Sequence, residues 1–93
     1  MKAIWNGTVV AESDDIVQVE GNAYFPAESL DRTLVTDSPH TSVCPWKGAA
    51  NYLNLAVGGR TNENAVWYYR DPKPAAAEIK GRVAFWKGVE IVA

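Results

Sequence analysis

Lys2-Ala-Ile-Trp-Asn-Gly-Thr-Val-Val-Ala-Glu-Ser13 carries the strongest fold signal in the sequence. Two short apolar runs flank Asn6-Gly7, the preferred pair for a two-residue type I′ turn, because both central positions need φ > 0. The stretch predicts a hairpin of Lys2–Trp5 and Thr8–Ser13, closed off by Ser13-Asp14-Asp15. A second hairpin follows, with Ile16–Glu20 and Ala23–Phe25 flanking Gly21-Asn22, a pair with glycine first as a type II′ turn requires. In it Val17 and Val19 share one face while Gln18 and Glu20 share the other.

Working outward, Pro26–Arg32 reads as a short helical turn opened by proline, with acidic residues early in it. Thr36–Pro39 reads as loop. Asn51–Val57 and Ala65–Tyr69 are strand candidates joined by the polar run Gly58–Asn64. Alternation puts Trp67 and Tyr69 on one face of the second, with Val66 and Tyr68 on the other. Arg70-Asp71-Pro72 is a turn, and Pro74–Lys80 is predicted as a two-turn helix ended by Gly81. Val83–Trp86 and Val89–Val92 are predicted to pair about Lys87-Gly88. No β-α-β alternation occurs, so the expected class is mainly β: curled antiparallel sheets, barrel- or tent-like, with one or two short helices, in a single domain spanning residues 1–93. Trp-Xaa-Gly recurs at Trp5, Trp46 and Trp86, but the flanking residues do not align as a repeat would.

Composition narrows the function. The chain has 93 residues, 47% of them hydrophobic, with four Trp and four Tyr. Each buried aromatic removes roughly 150–250 Å² from water, so a few can anchor a small core. Nine basic residues stand against eleven acidic ones, a formal net charge of -2. No basic stripe runs along the sequence, and a nucleic-acid partner is not expected. Nor is a membrane partner, since no segment approaches the roughly twenty apolar residues of a spanning helix. The first residues turn too early for a signal peptide's apolar run, and the expected location is cytoplasmic. One Cys and one His cannot supply the three or four ligands zinc prefers, so no metal site is expected.

Chemistry is densest at Thr41-Ser-Val-Cys-Pro-Trp-Lys-Gly-Ala-Ala-Asn-Tyr52. Pro45 pre-sets a turn that brings Cys44 and Lys47 close, and a nearby ammonium favours thiolate. A free cysteine also serves as a small buried hydrophobe, and no base is arranged beside this one. Lys47, set between aromatics and before a glycine, suits an anionic ligand or a snorkelling role. Val66-Trp-Tyr-Tyr69 and Phe85-Trp86 can line a pocket or simply fill a core. No phosphate-cradling glycine loop or nucleophile elbow is present.

Four segments together resemble the domain of unknown function 427 family: Tyr24-Phe-Pro26, Thr41–Tyr52, Ala65–Ala77 and Ile79–Phe85. Its C-x-x-K-G-x-A-x-Y element is Cys44–Tyr52 here, and its W-x-Y-x-D-P element is Trp67–Pro72. The resemblance implies a small, mainly β protein with a short helix near Ala75–Ile79. It carries Cys44, Lys47, Gly48, Tyr52, Trp67, Tyr69, Tyr24 and Pro26 over as motif residues. Many relatives have an aspartate soon after the Tyr-x-Pro element, where this chain has Ser29. The family is also filed under a nucleotidyltransferase-type name, but the carboxylates here lack the paired spacing that would hold a metal for that reaction.

Two function classes follow. The first is a small-molecule site, binding or catalytic, lined by Lys47, Cys44, Tyr52, Trp67, Tyr69 and Tyr24, with a small, anionic molecule as its expected partner. The second is a structural or protein-interaction domain whose aromatics serve the core. No cofactor or oligomeric state is assigned.

Overall fold

Asn6 and Gly7 take φ values of 50° and 73°, the left-handed pair that a type I′ turn demands. Around them β1 (Lys2–Trp5) pairs with β2 (Thr8–Glu12), with one bulge between Ala3 and Ile4. The computed structural model describes every residue from Met1 to Ala93. It contains seven further strands: β3 (Val17–Val19), β4 (Asn22–Pro26), β5 (Val35–Cys44), β6 (Gly48–Val57), β7 (Arg60–Tyr68), β8 (Arg82–Phe85) and β9 (Glu90–Val92). They form two antiparallel sheets, one ordered β2-β1-β9 and one ordered β3-β4-β8-β7-β6-β5. The mainly β class is as the sequence predicts, and both sheets stay open rather than closing into a barrel.

Period-2 alternation distributes the apolar side chains between two clusters. Phe25, Leu53, Leu55, Val66, Val83 and Phe85 of the large sheet pack with Ala3, Val10 and Ala11 of the small one. Phe25 and Phe85 meet edge to face at 5.4 Å, a geometry that adds about 0.5–1.5 kcal/mol to their burial. The intervening residues Tyr24, Ala50, Tyr69 and Ala84 point to the opposite face, where Ala76 and Ile79 cover them. Trp67 and Tyr52 pack against that second cluster, and Tyr68 against the first. The predicted alternation over Val66–Tyr69 therefore holds.

Several local expectations are corrected. The β3–β4 turn is Glu20-Gly21, not Gly21-Asn22: Val19 faces Asn22, and Glu20 and Gly21 have φ of 53° and 79°. The pair of positive φ values makes it a I′-like turn, with Glu20, not only the glycine, in the left-handed region. Thr36–Pro39 lies within β5, which tolerates its proline at a sheet edge and accommodates the mismatch as a bulge between Asp37 and Thr41. Only Gly58-Gly59 connects β6 to β7. The polar run from Arg60 is strand, its residues mostly exposed and paired with Leu55–Val57.

The helical segments are short 3₁₀ turns at Ala27–Ser29, Arg32–Leu34 and Pro74–Ile79, not α-helix. In the last, Ala76 (φ -118°, ψ 24°) breaks the helical path, so its alanines do not propagate a helix. Burial of Ala76 and Ile79 against the sheet overrides propensity there. Finally, β9 leaves β8 after the Lys87-Gly88 turn and pairs with β1 instead. No helix is long and apolar enough to cross a membrane.

Candidate functional site

Three neighbouring strands and one turn build a recess on the second face of the large sheet. Pro45-Trp46-Lys47 forms the β5–β6 turn, with Cys44 paired to Gly48 across it. The turn is clamped from outside, since Lys73 N donates to Lys47 O at 2.8 Å and Lys73 Nζ donates to Pro45 O at 2.6 Å. Gly48 takes φ of +114°, and a Cβ there would stand 3.4 Å from Asp71 O. Glycine is needed both for the backbone angle and for the close approach of residues 71–73.

This turn drives Lys47 inward. Only 9% of its side chain is exposed, and its Nζ donates to Glu20 Oε1 from the β3–β4 turn. The ammonium also lies 5.3 Å from the Trp46 ring centre and 5.7 Å from that of Tyr69, within cation–π range. Burial draws Lys47 toward its neutral form, but the bonded Glu20 carboxylate and the Tyr24 and Tyr69 hydroxyls outweigh it. The net pKa lies above the ordinary lysine value. The same hydrogen bond from Lys47 holds the Glu20 carboxyl below the usual glutamate range. Burial pushes the Tyr69 phenol upward, against the pull of Lys47.

Lys47, Tyr52, Trp67, Tyr69 and Trp86 line a recess of about 170 Å³. Register explains the gathering, because Tyr52 of β6 faces Trp67 of β7, and Trp67 faces Ala84 of β8. Trp86 is two residues beyond Ala84. Trp67 and Trp86 pack edge to face at 6.0 Å, and Tyr52 lies 6.5 Å from Trp86. Behind the recess the Trp67 indole N–H donates to Tyr24 Oη at 3.1 Å, fixing the ring edge-on to Tyr24. At the rim the His40 ring lies against Tyr52, tilted, with centres 4.7 Å apart, and the Ser42 and Tyr52 hydroxyls share a 2.8 Å hydrogen bond.

Of the residues expected from sequence, Lys47, Tyr52, Trp67 and Tyr69 converge on the recess. Tyr24 is wholly buried and supports Trp67 from behind. Cys44 is free and half-buried against the second cluster, and it does not line the recess. Trp86, read from sequence as able to line a pocket but not placed among the site residues, does line it, and Glu20 was missed. Trp86 was legible through its parity with Ala84. Glu20 was not, because its side-chain direction depends on which residues occupy the turn. No group of three or more His, Cys, Asp or Glu side chains gathers to hold a metal ion.

No curated protein matches this chain. A family model described as a domain of unknown function, DUF427, and filed under the label NTP_transf_9, matches residues 1–92. That match spans all but one of the 93 residues, and the chain belongs to the domain of unknown function 427 family.

Proposed function

We propose that this domain binds a small planar molecule in the aromatic recess, through a ring held by Tyr52, Trp67 and Trp86 and an anionic group that reaches Lys47. The observation that carries the reading is a buried, charged lysine set beneath aromatics from three adjacent strands. A cavity of about 150 Å³ holds a benzene ring, so a recess of about 170 Å³ suits one ring and little more.

Glu20 gives the site its anion logic. Its carboxylate occupies the place that a ligand's carboxylate would take on Lys47. It hangs from a two-residue turn with 53% of its side chain exposed, so it can swing into water when a ligand replaces it. The shifted groups of the recess, Lys47 and Tyr69, both have their pKa values raised, further above the working pH. That favours binding over acid–base catalysis, which needs a group poised near the working pH.

Benzoate is a direct probe, read by tryptophan fluorescence and by the Trp67 indole N–H resonance. Glu20→Gln removes the internal competitor and is expected to tighten benzoate binding several-fold. Lys47→Met is expected to abolish it, and Trp86→Ala to weaken it while the fold is kept. Equal benzoate affinity in wild type and Lys47→Met would instead make the buried pair a structural element.

A further inference from the structure

A second recess lies elsewhere on the molecule, and its walls carry charge of one sign. About 320 Å³ in volume, it is lined by Arg32, Tyr68, Arg70, Lys80 and Arg82, and it shares only Tyr69 with the aromatic recess. Four of the chain's nine cations meet there, and no carboxylate lines it. In a protein of net charge -2, such a concentration stands against the average field. Grouped like charges repel, and clefts lined by one sign of charge focus the field on an incoming counter-ion.

The cations are not equivalent. Arg82 is committed to the fold: Nη1 donates to Asp15 O and Tyr24 O, and Nη2 pairs with Asp15 Oδ1 at 2.9 Å. It forms a fixed wall. Arg32, Arg70 and Lys80 are exposed and belong to none of the three ion pairs in the molecule. Arg70 Nη2 donates to Tyr68 Oη at 3.3 Å, which leaves the Tyr68 hydroxyl hydrogen free to donate into the recess. Ala27, Val83 and the half-buried Tyr68 supply an apolar floor.

We propose that this recess binds a small organic phosphate ester, with the phosphoryl group held by Arg32, Arg70 and Lys80 and the organic part laid over Tyr68. A phosphomonoester carries about −1.5 to −2 at neutral pH, which matches several unpaired cations better than a single carboxylate does. Arginine's fork binds such oxygens in pairs, with lysine adding a point charge. The volume falls within the roughly 300–1,000 Å³ usual for small-molecule sites. The four cations close around one hollow rather than extending along a track, which favours a small molecule over a nucleic-acid strand.

Titration of ¹⁵N-labelled protein with phenyl phosphate tests the proposal, with benzyl alcohol as the neutral counterpart and a short oligothymidylate as the polyanion. Phenyl phosphate is expected to shift the Tyr68, Gly81 and Arg82 amides saturably. Its affinity, followed at these amides, should fall about tenfold or more in Arg70→Ser and in Lys80→Ser, both exposed positions. Absence of saturation up to about 10 mM phenyl phosphate would overturn the proposal, as would equal binding of benzyl alcohol. Oligothymidylate binding more than about tenfold tighter than phenyl phosphate would overturn it too, by making the recess part of a nucleic-acid surface.

Discussion

Lys47 and Glu20 are coupled unequally, because one side chain is buried and the other faces water. Removing the carboxylate strands a buried ammonium, whereas removing the lysine leaves an exposed acid that water solvates. Glu20→Gln is therefore expected to lower the melting temperature more than Lys47→Met does, and the double variant should be no less stable than Lys47→Met alone. Thermal unfolding of the three variants checks this order. The pH dependence has a defined sign. Glu20 has a lowered pKa, so its contribution is present above the usual glutamate value of about 4.3 and is lost as pH falls through the folded value. Lys47 has a raised pKa, so its contribution is complete below about 10.4 and is lost as pH rises through the folded value. The stability gap between wild type and Glu20→Gln should be a plateau between these limits and should close in acid. The lysine's place at the recess was legible from its position after Pro45 and before Gly48. Its partner, 27 positions away in sequence, was not.

Among the elements, the β5–β6 turn depends most on a single residue. Gly48→Ala places a side chain at φ of +114° and against the backbone of Asp71. The expected cost is about 1–3 kcal/mol for the strained conformation alone, measurable as a lower denaturant midpoint with unchanged slope. Strand existence and facing were readable in the alternation of Val66–Tyr69 and in the Asn6-Gly7 signal. Turn identity was less so. Val-Glu-Gly-Asn allows either Glu-Gly or Gly-Asn at the centre, and pairing of Val17 with Tyr24 selects the first. The Pro74–Ile79 segment carries good helix formers, but six residues gain little from propensity when nucleation is costly. Contact of Ala76 and Ile79 with the sheet decides its path. The destination of β9 rests on tertiary packing, which a hairpin signal at Lys87-Gly88 does not contain.

At the scale of the molecule, the core cluster shared by both sheets ties their stability together. Ala3, Val10 and Ala11 bury against Phe25, Leu55 and Val66, so neither sheet keeps its apolar face covered alone. Near-ultraviolet and far-ultraviolet signals are expected to unfold in one coincident transition; separate midpoints would show two independent units. The cationic recess belongs to this scale as well. Arg32, Arg70, Lys80 and Arg82 sit in no common run, and only the folded arrangement of β8 with its neighbours assembles them.

The pairing of β1 with β9 also gives the protein a mechanical direction. Lys2 faces Val92, Ala3 faces Ile91 and Ile4 faces Glu90, so residues 1 and 93 emerge from the same end of one antiparallel pair. Tension applied between them loads the outermost rung first and reaches the next only after that rung has broken, since the hydrogen bonds run across the strands. Tension applied between residue 1 and Gly88, at opposite ends of the pair, pulls the strands lengthwise and strains all the rungs at once. The same cross-strand hydrogen bonds therefore unzip at low force in the first geometry and resist as a unit in the second.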